Sequence, residues 1–193
     1  MIDTEKTTRK FHVILACTLS CGIGKDGKIP WNIPDDMRHF REITQKTKDP
    51  NKRNMVIMGR KTWESLPKKP LNGRKNVIIT SMYKKELDER CTRIDYNYVS
   101  SFEDALVQAE NDTDIESIYV IGGAQLYNEA MKHPNCNILY ITMINHDFDC
   151  DTFFDRKVLN RFQLQHLGDV HTYNGIEYAF STAFNNLNFR FGN

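Results

Sequence analysis

Asp36 puts an acid where the surrounding pattern calls for hydrocarbon. With residues 33–46 as a helix, positions three, four and seven apart share a face, so Asp36 falls in the arc of Ile33, Met37, Phe40 and Ile43. Asp35, Arg38, Arg41, Glu42 and Gln45 take the opposite arc. An unpaired carboxylate on an apolar face is costly, so Asp36 is expected to be protonated, partnered, or set in the wall of a ligand cavity. Helix capping is the plainer alternative, because acids favour a helix's first turn; Asp35 can fill that role from the solvent side.

Two further segments have the chemistry to hold an anion. In Met58-Gly59-Arg60-Lys61-Thr62 a strand ends at glycine and a helix begins with two cations and a hydroxyl, which together favour phosphate. In Ile121-Gly122-Gly123-Ala124-Gln125 the glycine pair lets backbone come close to a ligand. The plain alternatives are two solvated cations and a tight strand-to-helix turn. Gly22-Ile23-Gly24-Lys25-Asp26-Gly27 matches the three-glycine dinucleotide fingerprint but fails its context. That motif must open a helix, whereas Lys28-Ile29-Pro30-Trp31 continues extended. It reads instead as a mobile loop with glycine hinges that closes beside Asp36, or as an ordinary surface turn.

These residues need a frame. Short apolar runs alternate with helical patterns: residues 13–19, the helix bearing Asp36, 55–58, a helix over 62–66, and 77–79. Helical spacing at Phe102, Ala105, Leu106 and Ala109, a run at 118–121, a helix through Leu126, Tyr127, Ala130 and Met131, and a run at 138–144 continue the series. The fold class is therefore α/β, with a central, mostly parallel sheet covered by helices on both faces. After Asp151 the texture changes. Residues 162–167 alternate strictly and 178–184 answer them across a turn near Asn174-Gly175, which predicts an antiparallel hairpin at the sheet edge. Residues 45–54, 83–95 and 111–116 read as surface connections. The 193 residues form one expected domain, with 1–10 as a polar tail and 185–193 as a C-terminal tail or the start of a linker.

Twenty-six Lys and Arg nearly balance 25 Asp and Glu, so the net charge of +1 gives no case for nucleic acid or an anionic membrane. Nothing resembles a signal peptide or a membrane span, so a cytoplasmic protein is expected. The five cysteines (17, 21, 91, 136 and 150) show no paired spacing and the histidines are scattered, so neither a disulfide framework nor a metal site is expected.

Ile29-Pro30-Trp31, Asp36, residues 59–65, Gly73-Arg74-Lys75-Asn76, Ile121-Gly122-Gly123 and residues 151–154, in this order and spacing, resemble the dihydrofolate reductase family from about His12 to Phe184. The resemblance implies a sheet of about eight strands, NADPH as hydride donor, and 7,8-dihydrofolate reduced to tetrahydrofolate. By matching position, Asp36 would bond the pteridine ring, supported by the Thr142 hydroxyl, beside Trp31. Carbonyls of Ile14 and Ile121 would accept from the amino group at carbon 4 of antifolates. Met37, Phe40 and Leu66 would line the ring slot, and Arg74 would hold the glutamate carboxylate.

On the cofactor side the resemblance implies Ala16, Ile23 and Tyr127 around the nicotinamide. Gly59, Thr62, Gly122, Gly123, Ala124 and Gln125 would lie at the diphosphate, with a cis Gly122-Gly123 peptide. Arg60, Lys61 and Ser81 would surround the 2′-phosphate; Met82 follows where many relatives carry a polar or basic residue. Lys68 and Lys69 offer an ammonium beside the glutamate tail. Asp36 would orient the ring and raise the basicity of nitrogen 5, with water delivering the proton. A fused thymidylate synthase, as in some single-celled eukaryotes, is the further expectation. Rival readings are a pterin-binding protein without turnover and an NADPH-dependent reductase of another heterocycle, such as a riboflavin precursor.

Overall fold

The computed structural model describes residues 9–81 and 95–189. The described residues contain ten strands: β1 (Phe11–Thr18), β2 (Gly22–Gly24), β3 (Arg53–Gly59), β4 (Arg74–Ile79), β5 (Tyr96–Val99), β6 (Ile115–Val120), β7 (Cys136–Asn145), β8 (Thr152–Phe153), β9 (Phe162–Tyr173) and β10 (Ile176–Asn185). Eight form one sheet in the order β5-β4-β3-β6-β1-β7-β10-β9, and β2 pairs with β8 apart from it. The β5-to-β7 part is parallel, and β10 runs antiparallel to both β7 and β9. This is the expected α/β sheet with its antiparallel edge pair.

Among the described residues four helices cover the sheet: α1 (Pro34–Gln45), α2 (Arg60–Ser65), α3 (Phe102–Asn111) and α4 (Ala124–Lys132). Alternate residues of β1 sort to opposite faces. Phe11, Val13, Leu15 and Cys17 pack with Phe102, Leu106, Leu126 and Met131 of α3 and α4. Ile14 packs on the other face with Val56, Met58, Trp63 and Ile121, backed by Phe40 and Ile43 of α1. Burial on both faces is why the parallel strands read as unbroken apolar runs.

Local chemistry sets the helix that carries Asp36. Pro34 begins α1, where its missing N–H costs nothing, and Asp35 and Asp36 occupy the first turn. At the other end Asn54 Nδ2 donates to the carbonyls of Thr44 at 3.1 Å and Lys46 at 2.9 Å. Asn54, expected in a connection, is instead a fully buried strand residue that ties the end of α1 to β3.

The loop expected to hinge at its glycines begins as a short strand. Gly22 and Gly24 lie in β2, paired with Phe153 and Thr152. A side chain on Gly22 would place its Cβ 2.6 Å from Cys150 Sγ, so glycine here serves close packing. Beyond it, Lys25 and Lys28 exchange backbone hydrogen bonds at 2.8 and 2.9 Å around Asp26 (φ 50°) and Gly27 (φ 71°), a two-residue hairpin turn. The three glycines thus build a hairpin and no phosphate-binding helix start.

The C-terminal pair turns at Asn174 (φ 48°) and Gly175 (φ 78°), the primed geometry that Asn-Gly favours. The alternation in β9 does not mark a buried face: Leu164 and Leu167 are 54% and 64% exposed. β9 is the sheet's last strand, and its register shifts near Gly168, where a Cβ would meet Phe180 O at 2.6 Å. Ordered structure also reaches into both expected tails. Asn185 is the buried last residue of β10, bonded to Cys136 O at 3.0 Å, and a 3-10 turn follows. At the other end Arg9 donates to the carbonyls of Ala109 at 2.6 Å and Ile115 at 2.8 Å, closing the end of α3. Among the described residues no helix is long and apolar enough to cross a membrane.

Candidate active site

Asp36 is buried at the start of α1 and accepts a hydrogen bond from Thr142 Oγ1 of β7 at 2.8 Å. Burial pushes its carboxyl above the ordinary carboxylate range, partly offset by the Thr142 hydroxyl and the Trp31 indole N–H, which favour the anion. The indole nitrogen is itself buried and makes no well-aligned hydrogen bond to a described residue, so Thr142 is the firmer partner. Of the three states the sequence left open for Asp36, two hold together: it is partnered, and it stands in a cavity wall.

That cavity is a cleft of about 180 Å³ that opens to solvent at its mouth. One wall comes from α1, through Asp36, Met37, His39 and Phe40; the floor is Ile14, Leu15 and Ala16 of β1 with Thr142. Ile23, Ile29 and Trp31 close one side, and Thr62, Ser65, Leu66, Ile121, Gly122, Gly123 and Tyr127 close the other. Phe148 packs on Trp31 at 5.6 Å between ring centroids, bracing the loop wall. The lining is mostly apolar around one buried carboxylate, which suits a flat ring with hydrogen-bonding edges. Met37, expected in the buried arc, is 50% exposed at this wall.

The two glycine turns meet. Gly59 N donates to Gly122 O at 2.8 Å, and the Gly122-Gly123 peptide is cis, as the resemblance implies. Gly123 caps α4 without a side-chain bond, so the first N–H groups of that helix keep their capacity for an anion. A Cβ on Gly122 would stand 3.2 Å from the Tyr127 hydroxyl and 3.4 Å from Thr62 Oγ1, at a φ of 119° that side chains rarely adopt. Gly122→Ala is therefore expected to cost roughly 1–3 kcal/mol of stability, which a thermal melt checks.

Arg74 lies behind the α1 wall. It is 6% exposed, its Nη1 donates to Thr44 Oγ1 at 2.7 Å, and its guanidinium carbon sits 5.8 Å from the centre of the Phe40 ring. Burial pulls its pKa down, and nearby Arg41 pulls the same way. Among the described residues it makes no ion pair, so a buried cation stands ready for an anion from outside. Gly59, Arg60, Lys61, Ser81, Ala124 and Gln125 also lie off the cleft lining. Arg60 is tied to Glu64 at 2.6 Å, while Lys61 and Ser81 are exposed. Met82 falls outside the described residues. The Lys69 ammonium donates to the carbonyls of Trp63 and Glu64, both at 3.1 Å, and caps the end of α2.

The family model described as dihydrofolate reductase matches residues 10–185. The chain belongs to the dihydrofolate reductase family. It is 38% identical to the dihydrofolate reductase of Heliothis virescens, over 80% of this chain and 84% of that protein. The match to the bifunctional dihydrofolate reductase-thymidylate synthase of Glycine max is also 38%, over 90% of this chain but 33% of that protein. The chain thus spans about a third of the bifunctional relatives it matches, including one from Arabidopsis thaliana at 37% identity. Within the reductase fold, sequence reasoning missed Leu15, His39 and Ser65 in the cleft and Thr44 under Arg74. The i,i+3 relation of Asp36 to His39 was the available signal for the second of these.

Proposed function

We propose that this chain reduces 7,8-dihydrofolate to 5,6,7,8-tetrahydrofolate with NADPH, as one reductase domain over residues 1–193. The observation that carries the reading is the buried Asp36–Thr142 pair in the wall of an apolar cleft, with the buried Arg74 cation behind the same helix. A pterin offers neighbouring ring and amino N–H groups that one carboxylate can accept together. The glutamate tail offers the anion that Arg74 lacks.

Each residue has a task in this reading. The Asp36 carboxylate accepts from the pterin's amidine edge and fixes the ring. Its negative charge raises the basicity of nitrogen 5, which takes its proton from water, since Asp36 holds the opposite edge. Thr142 keeps the carboxylate aligned. Met37, Phe40 and Leu66 sandwich the rings, with the Ile14 and Ile121 carbonyls as acceptors for 2,4-diamino antifolates. Tyr127 already donates to Ile14 O at 3.0 Å, which leaves that carbonyl a second lone pair. Ile23, Ile29 and Trp31 exclude bulk water from the reacting face.

The residues present fit a dinucleotide. The glycine cradle excludes a Cβ at Gly122, and α4 begins uncapped beside it. Gly59, Thr62, Gly122, Gly123, Ala124 and Gln125 would hold the diphosphate, Ala16, Ile23 and Tyr127 the nicotinamide, and Arg60, Lys61 and Ser81 the 2′-phosphate. NADPH, when bound, supplies the hydride for carbon 6 of the pterin. Loss of NADPH absorbance on adding dihydrofolate tests the proposal, and a protein that binds both without consuming them refutes it. Replacing both Arg60 and Lys61 with alanine is expected to raise the KM for NADPH about tenfold or more while leaving that for NADH unchanged. A fused thymidylate synthase, named in the plant relatives, remains part of the proposal, tested by the full-length transcript.

A further inference from the structure

We infer that Thr44 is a positioning residue for Arg74: its hydroxyl oxygen holds one guanidinium nitrogen, Nη1, and so leaves Nη2 as the donor that meets the carboxylate of a bound tail. The inference rests on the proposed reading of Arg74 as the cation for that tail and adds the group that aims it.

Two cross-strand neighbours carry the geometry. Asn54 of β3 and Arg74 of β4 are register partners, and both side chains end on Thr44, a fully buried residue in the last turn of α1. Asn54 Nδ2 donates to the Thr44 carbonyl at 3.1 Å, and Arg74 Nη1 donates to the Thr44 hydroxyl oxygen at 2.7 Å. Asn54 is fixed in turn, because its Oδ1 accepts from Ser117 N at 3.1 Å. The last turn of α1 is therefore tied to the sheet at the point where Arg74 leans on it.

Donor counting sets the direction. The Thr44 hydroxyl gives its one hydrogen to Phe40 O at 2.7 Å, so towards Arg74 it can only accept. On the guanidinium, Nε donates to Asn72 O at 3.3 Å and Nη1 to Thr44. Nη2 donates to no described residue and is not cut off from solvent. It is the corner of the fork that an incoming carboxylate can reach. Burial and the Arg41 charge both disfavour the Arg74 cation, and an acceptor at 2.7 Å favours it. A valine at 44 would keep the shape of threonine and lose the acceptor, so packing alone is the reading to beat.

Equilibrium titrations of a 2,4-diaminopteridine with and without an aminobenzoyl-glutamate tail, followed by protein fluorescence, separate the two. For the tailed ligand Thr44→Val is expected to raise Kd about three- to tenfold, the loss of one modest hydrogen-bond contribution, and Thr44→Ser at most about twofold. Thr44→Ser and Thr44→Ala differ by the oxygen alone and should differ by a similar factor, a comparison that needs no valine variant to fold. The tail-less ligand should bind all of them alike, and in an Arg74→Leu background Thr44→Val should add nothing, because the group it aims is gone. Equal weakening of both ligands, a Thr44→Ser as weak as Thr44→Ala, or a full-sized Thr44→Val effect without Arg74 would each overturn the inference. Arg74→Leu alone reports on the reading beneath it. If it leaves the tailed ligand's Kd unmoved, that reading and this inference fail together; if it weakens binding while the Thr44 variants do not, the aiming role alone falls.

Discussion

Asp36→Asn is expected to melt at a higher temperature than wild type in the absence of ligand, while its turnover of dihydrofolate falls by about two to four orders of magnitude at neutral pH. Opposite signs follow from one cause. Burial raises the folded-state pKa of Asp36 above its unfolded value, so the folded protein binds that proton more tightly than the unfolded chain does. Ionised Asp36 thus costs stability above the unfolded carboxylate range, increasingly as pH rises towards the folded pKa and constantly beyond it. The neutral amide escapes that cost and keeps an oxygen for Thr142 Oγ1. The melting difference should therefore vanish in acid and be largest near neutrality. In the proposed reaction catalysis runs the other way, because only the anion would raise the basicity of nitrogen 5. The residual rate should increase about tenfold per unit fall in pH, as the proton must then come from solution. NADPH affinity should not change. Melting curves across pH and steady-state rates check the pair together, and a variant that loses both stability and activity would mark Asp36 as structural.

Arg74→Leu is expected to lower kcat/KM for dihydrofolate about ten- to hundredfold, almost wholly through KM. A charge-assisted contact of this kind contributes about 1.5–3 kcal/mol. Arg74 is off the cleft lining, so it cannot act on the reacting ring; its partner has to be a group that extends past Phe40. A dihydropterin without the glutamate tail supplies no such group. Wild type and Arg74→Leu should therefore reduce it equally, and unequal rates would place Arg74 in the chemistry or in the fold.

The order of strands and helices was legible because two-sided burial writes itself as apolar runs, and Asp36 stood out because it broke one. Three features resisted. β5 is a four-residue edge strand with no fully buried position, so its hydrophobic signature is too short to separate from a connection. β2 owes its pairing to Phe153 and Thr152, more than a hundred residues away, which no local pattern encodes. Asn54 looked like loop composition, yet its amide caps the end of the preceding helix. The site shows the same divide. Asp36 followed from the periodicity of α1, and Ile14, Ala16, Met37 and Phe40 from the resemblance, while Leu15 and His39 on the same two elements did not. Nor did residues placed by side-chain reach: Thr44 under Arg74 and Lys69 across the end of α2 were set by hydrogen bonds that spacing does not reveal. Alternation in β9 rightly marked an antiparallel edge strand, although solvent meets both of its faces.

The central claim, that the Asp36 carboxylate grips the ring, is tested most directly by following its carboxyl carbon-13 resonance with pH, first alone and then with a 2,4-diaminopteridine bound. The free protein should titrate above the ordinary carboxylate range, and the bound complex should keep Asp36 ionised to far lower pH because the ring supplies N–H donors to the anion. An Asp36 titration that the bound pteridine leaves unmoved would contradict the account.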